Sequence, residues 1–144
     1  MRIDGSWHLC DDGVLRPVIV ALVKTSDNSW LEFRMLVDIG ADRTVLSADV
    51  LDALGLPKEQ ANEKLQGVGG KVASVMVNTQ IRMTREKNAT ILFDGRFTAF
   101  TDPTALDMSV LGRDITNLFA VIVDRPQDVV CMLGQKHRYV VLED

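Results

Sequence analysis

At 144 residues the chain has the length of one domain with a single substantial core, and 47% apolar with 25% charged residues is ordinary for a soluble globular protein. A net charge of -4 excludes the basic footprint of a typical nucleic-acid binder. Apolar runs such as Val18-Ile19-Val20-Ala21-Leu22-Val23 are far too short to span a bilayer, and the opening Met1-Arg2-Ile3-Asp4-Gly5-Ser6 carries no signal-peptide core. A cytoplasmic protein with no membrane or nucleic-acid partner is therefore expected. Cys10 and Cys131 lie far apart without metal-ligand spacing and read as reduced thiols, while His8 and His137 are too isolated for a zinc site. No metal and no cofactor is implied.

Strand signals dominate the chain. Residues 16–24 form a β-rich run, Ser26-Asp27-Asn28-Ser29 supplies a turn, and residues 30–37 alternate. Leu31, Phe33, Met35 and Val37 fall on one face and Glu32 and Arg34 on the other, so the second strand of this hairpin delivers Asp38. A short helix follows Leu46, with Ser47 as its cap, Asp49 in its first turn, and Val50, Leu51 and Leu54 as its apolar stripe. Gly55 and Pro57 end it. Further strands are expected at residues 71–77, 80–83, 90–93 and 96–100, with Asp94-Gly95 as a two-residue hairpin turn between the last two. A short strand at 108–111 and a second helix at 114–119 come next, then strands at 120–124, 129–133 and 139–142. The expectation is one mostly-β domain over residues 1–144.

Three motifs bear on chemistry. Leu36-Val37-Asp38-Ile39-Gly40-Ala41-Asp42 places a carboxylate after a buried strand and before a glycine turn, where an acid is costly unless it is bonded, paired or protonated. Alone the pattern is weak, because Asp11-Asp12-Gly13 repeats it in what reads as an ordinary surface turn. Leu65-Gln66-Gly67-Val68-Gly69-Gly70 puts three glycines at a hairpin tip that can fold over an extended peptide, although, taken alone, a plain flexible turn is the better account of it. Val110-Leu111-Gly112-Arg113-Asp114 is an apolar strand, a glycine and an Arg-Asp pair opening a helix.

Taken in order, the three motifs resemble those of the retropepsins, the retroviral-type aspartic proteases: an acid loop, a glycine-rich flap, and apolar residues followed by Gly-Arg-Asp. The resemblance covers residues 16–125 and leaves residues 1–15 and 127–144 outside it. It implies an all-β, single-lobed acid protease fold with one or two short helices, closed as a symmetric homodimer. It further implies that Asp38 is the catalytic carboxylate, with Ile39 and Gly40 in the active-site loop. Gly40, Ala41 and Asp42 would meet the substrate main chain, Gly67, Val68 and Gly69 would form the flap tip, and Val110 would wall a substrate pocket. Gly112 would pack under the acid loop and Arg113 would pair with Asp42.

One chain of this length holds one such acid, and the chemistry needs two carboxyl groups sharing a proton. The resemblance thus implies an aspartic endopeptidase that cleaves extended peptide segments with a dyad built from Asp38 of two copies. Ile39 departs from the family, whose Thr or Ser at this place braces the dyad across the dimer axis. The alternative function is accordingly a non-catalytic or weakly active retropepsin-like module that binds peptides or mediates dimerisation.

Overall fold

Strands carry most of the chain in the computed structural model, which describes residues 1–60, 65–67, 70–134 and 142. In chain order they are β1 (Arg2–Asp4), β2 (Ser6–Leu9), β3 (Leu15–Lys24), β4 (Trp30–Val37), β5 (Val45–Leu46), β6 (Glu59–Gln60), β7 (Leu65–Gly67), β8 (Gly70–Val72), β9 (Ser74–Thr84), β10 (Thr90–Phe100), β11 (Ser109–Leu111), β12 (Ala120–Asp124) and β13 (Val129–Leu133). Helix α1 (Ala48–Leu54) follows β5, and the single turn α2 (Arg113–Thr116) follows β11.

Eight strands form one sheet in the order β2-β3-β4-β11-β5-β10-β9-β6, and β3 also pairs with β9 through Leu22↔Arg82 and Val23↔Ile81. The sheet therefore curls until it meets itself, and its inward side chains make the core. Along β4 the alternation holds: Phe33, Met35 and Val37 are buried while Glu32 and Arg34 are exposed. Ile19, Ala21 and Val23 of β3 and Val77, Ile81 and Met83 of β9 face the same interior, with Val50, Leu51 and Leu54 of α1 packed on it. Gly55 ends α1 in the left-handed region at φ 62°, as its sequence position implies. Ser47 precedes the helix without capping it; its backbone N–H donates to Ser109 Oγ at 2.9 Å and its hydroxyl lies 3.1 Å from the same oxygen.

The Asp94-Gly95 turn is not there. β9 and β10 are two long antiparallel strands, and Asp94 and Gly95 stand inside β10 opposite Gln80 and Thr79. The inward alternation Ile91, Phe93, Gly95, Phe97, Ala99 runs through the dipeptide without a phase change, so a reversal there would have turned one half of the strand inside out. The chain reverses instead at Glu86-Lys87-Asn88, where Lys87 and Asn88 take positive φ. The expected break between residues 77 and 80 is likewise absent, since β9 runs unbroken from Ser74 to Thr84. The second helix is shorter than residues 114–119, because i→i+3 bonds from Leu118 and Phe119 tighten its end and set the Phe119 ring edge-on to Phe93 at 6.2 Å.

The N-terminal strands carried no strand signal in the sequence. β1 joins β13 and β12 in a separate three-stranded sheet, while β2 pairs with β3. Gly5 makes the crossing between the two sheets: its N–H donates to Val130 O, and a side chain there would meet Val18 O at 2.3 Å. The strand expected at 139–142 falls on residues of which only Leu142 is described. Among the described residues, no helix is long and apolar enough to cross a membrane.

Candidate active site

Asp38 leaves the end of β4 beside β11, which runs parallel to it with Leu36 opposite Val110 and Val37 opposite Leu111. Its backbone N–H continues this ladder by donating to Leu111 O at 3.2 Å. Immediately beyond, the chain turns back: Ala41 N donates to Asp38 O at 3.2 Å, and Gly40 N donates to Asp38 Oδ1 at 2.9 Å. One oxygen of the half-buried carboxylate is thus fixed by the backbone of its own loop, and the other is left without a partner among the described residues. A side chain on Gly40 would stand 3.2 Å from Oδ1, so the glycine keeps that face of the acid open. Ile39, between them, is 64% exposed.

The loop is held from below by the start of α2. Arg113 N donates to Ala41 O at 2.8 Å, and the Arg113 guanidinium forms an ion pair with the exposed Asp42. Gly112 lies flat against the loop backbone, since a Cβ there would sit 2.2 Å from the carbonyl carbon of Arg43 and 2.7 Å from Thr44 N. Two residues to which sequence reasoning gave no role complete the joint. Asp114 Oδ1 accepts from Thr44 N at 2.9 Å, from Thr44 Oγ1 at 2.7 Å and from Ile115 N at 3.0 Å. The same Thr44 hydroxyl accepts from Gly112 N at 3.1 Å, and Thr44 is 1% exposed. A threonine six residues after the acid and an aspartate one residue after the arginine were visible signals, but their meeting requires β4, β5 and β11 to share a sheet.

The glycine-rich segment forms the hairpin β7–β8, with Leu65 opposite Val72 and Gly67 opposite Gly70. Val68 and Gly69, expected at its tip, lie outside the described residues. The hairpin is rooted in the main sheet from both sides: β6 pairs with β9 through Glu59↔Met76 and Gln60↔Val75, and Glu59 is held by Arg96 at 2.7 Å and Asn78 at 3.2 Å.

Val110 and Leu36 open onto a groove of about 1070 Å³. Its other walls come from Val50 and Ala53 of α1, residues 103–108 of the loop before β11, and Arg16 at the start of β3. Arg16 is gripped by Asp12 through two parallel bonds of 2.9 and 2.7 Å. The bond to Arg16, followed by the N–H of Val14, lowers the Asp12 carboxyl to about 2, and the pair holds Arg16 firmly in its charged form. Of the expected site residues, the structure brings Asp38, Ile39, Gly40, Ala41, Asp42, Gly112 and Arg113 into one joint; Val110 reaches the neighbouring groove, and Gly67 lies in the β7–β8 hairpin that leads into β9.

A family model described as aspartyl protease matches residues 23–136 of the chain. The fold is similar to that of EIAV protease bound to an inhibitor, at 27% identity and a TM-score of 0.53, over 71% of this chain and 86% of that one. It is also similar to a retropepsin-like aspartic protease from Rickettsia conorii, at 20% identity and a TM-score of 0.52, over 92% of this chain and 88% of that one. No curated protein matches the chain.

Proposed function

Because the chain belongs to the aspartyl protease family and has a retropepsin-like fold, we propose that it is a cytoplasmic aspartic endopeptidase, active as a homodimer whose catalytic dyad is Asp38 from each of two copies. The observation that carries this reading is the bracing of the acid loop. A solvent-facing turn has no need of a partner strand, a buried threonine, a glycine in backbone contact and an aspartate taking three bonds, yet the Asp38 loop has all four. Such bracing restrains the carboxylate, and a reacting group needs its position held, which supports this reading.

Two Asp38 carboxyl groups facing across a two-fold axis, about 3 Å apart, do not both ionise, and the pair retains one proton. The ionised member takes a proton from water, which attacks the scissile carbonyl, while the protonated member donates to the carbonyl oxygen. Gly40, Ala41 and Asp42 offer main-chain and carboxylate partners to an extended peptide, and Gly67, Val68 and Gly69 would cover it from the hairpin tip. Alternate substrate side chains would enter the groove that Val110 and Leu36 line. A symmetric pair supplies what a single chain lacks, a second acid loop of the same geometry.

The second reading, a retropepsin-like module that dimerises or binds peptides without cutting them, is favoured by one observation. The Ile39 side chain is 64% exposed and carries no polar atom with which to cross the axis and brace a partner's loop. A peptide-library digestion with wild type beside Asp38→Asn separates the two. We expect cleavage by wild type and a loss of at least about a thousandfold in the variant, the scale seen when one member of a concerted catalytic unit is removed. Comparable rates for both proteins would remove Asp38 from the chemistry, and no cleavage by either would leave the binding module.

A further inference from the structure

The family match begins at residue 23, yet part of the chain before it belongs to the groove that Val110 and Leu36 line. His8 in β2, Cys10 just after it, Asp11 and Asp12 in the following turn, and Arg16 in β3 all line this groove together with Val110 and Leu36. The turn is fixed in place. Cys10 N donates to Val14 O at 2.9 Å, Gly13 N to Cys10 O at 2.9 Å, and Gly13 takes φ 79°. Asp12 Oδ1 accepts from Val14 N at 3.0 Å while both its oxygens hold Arg16. The β2–β3 hairpin is itself anchored, because the Trp7 indole donates to Asp124 O at 3.3 Å and Arg125 lies over the Trp7 ring at 5.4 Å.

The charges of the groove do not balance. With Asp12 and Arg16 spent on each other, Asp11, Glu32, Asp49 and Asp107 remain against Arg34 alone, and they come from the turn, from β4, from α1 and from the loop before β11. These four acids enter no ion pair among the described residues. A groove of about 1070 Å³ with apolar patches at Leu36, Val50 and Val110 and acidic groups on several walls suits a long side chain with an apolar stem and a cationic head.

We propose that the N-terminal turn is a specificity element: it closes one wall of the substrate groove, Asp12 acts as the positioning residue that holds and neutralises Arg16, and the groove then selects peptides with lysine or arginine beside the scissile bond. This rests on the reading of the groove as substrate-binding. Releasing Arg16 would place a free cation in the groove where a substrate cation is to sit.

The test takes one peptide that wild type cleaves and varies each flanking position among lysine, leucine and glutamate. At one position we expect kcat/KM for lysine to exceed that for glutamate by about tenfold or more, the sum of a few weak exposed charge contacts, with the difference falling on KM. Asp12→Asn should reduce that ratio by about fivefold, Asp12→Glu should restore most of it, and Glu32→Gln, on a different wall, should lower it independently. No preference for lysine in wild type, or an equal loss on lysine and glutamate peptides in Asp12→Asn, would overturn the proposal, the latter marking the turn as merely structural. If wild type cleaves nothing, the endopeptidase reading fails by itself. Fluorescence anisotropy of the same labelled peptides on wild type and Asp12→Asn then decides the specificity proposal: lysine-selective binding weakened in the variant supports it, and indifferent or absent binding overturns it.

Discussion

Asp11-Asp12-Gly13 and Asp38-Ile39-Gly40 are the same sequence pattern, and the chain folds both as tight turns. In the first, the middle carboxylate accepts from the backbone two residues on and reaches outward to Arg16. Gly13 sits at positive φ, and a side chain there would touch nothing within 4 Å. In the second, the leading carboxylate accepts from Gly40, the strand before it is paired in parallel with β11, and α2 seals the loop from beneath. One turn is an end of a hairpin and the other is a joint of the fold. The pattern Asp-x-Gly specifies only the turn; what surrounds it decides whether the carboxylate can be asked to do chemistry.

The sharpest way to break the comparison is through its supporting glycines. Gly112→Ala drives a methyl group to 2.2 Å from the Arg43 backbone, which cannot rotate away as a side chain would. We expect a loss of about 3 kcal/mol or more, at or beyond the upper end for overpacking a close contact. Gly13→Ala forces a methyl-bearing residue into the left-handed region in open space and should cost only about 1–2 kcal/mol. Urea midpoints of the two variants measure the difference, and equal losses would show that the acid loop is no more tightly held than the surface turn.

Thr44→Val tests the same joint through its polar half. The substitution keeps the shape but leaves Asp114 without one of its donors and Gly112 N–H without its acceptor. About 1–3 kcal/mol should be lost, the range for stranding a buried polar group. On the proposed endopeptidase reading cleavage should also fall, because the loop that carries Asp38 loosens, whereas a variant that unfolds earlier yet cuts at the wild-type rate would separate bracing from catalysis.

Much of this was legible before the structure. The β3–β4 hairpin, α1 with its Gly55 stop, and the order of acid loop, hairpin and Gly-Arg-Asp all follow from local patterns, because alternation and turn chemistry are local properties. The errors have two origins. Asp94-Gly95 reads as a turn only until the unbroken phase from Ile91 to Ala99 is weighed against it, and here tertiary phase overrode turn propensity. β1 and β2 stayed hidden because each is short and stabilised by distant partners, β13 for one and β3 for the other. The Thr44–Asp114 bond spans 70 residues, a separation that no pattern in a short window can report.

Ile39→Thr makes the acid loop resemble its family, and so asks whether the exposed isoleucine is a flaw or a part of the site. A hydroxyl at this place could cross the axis of the proposed dimer and bond the partner loop, a contribution of about 0.5–1.5 kcal/mol per copy. Against it stands the lost burial of an isoleucine side chain in the interface, about 1.5–3 kcal/mol if that burial is complete. Association should therefore weaken slightly or stay level, while turnover at saturating dimer rises by about tenfold as the two acids are better aimed. Turnover measured well above the dimerisation constant is the decisive quantity. An unchanged or lower rate would show that the isoleucine packs as an apolar brace and belongs to the working site.

The smallest expected effect lies in the other turn and is one of pH. Asp12 is held at about 2 by Arg16 and the N–H of Val14, below the value near 4 of an unstructured aspartate. A carboxylate whose value is depressed on folding binds its proton more readily when unfolded, so its stabilisation is fully present above about pH 4 and is lost only as the pH falls through about 2. The Asp12–Arg16 grip should accordingly survive the mildly acidic range in which a proton-sharing dyad works best. Carboxyl chemical shifts followed by NMR should give Asp12 a midpoint near 2 in wild type and a higher one in Arg16→Ala, where the largest cause of the depression is gone. A wild-type midpoint near 4 would mean that the turn does not hold Arg16 in solution; the groove would then lose its fixed wall, and the contrast between an outward-reaching carboxylate and a braced one would rest on Asp38 alone.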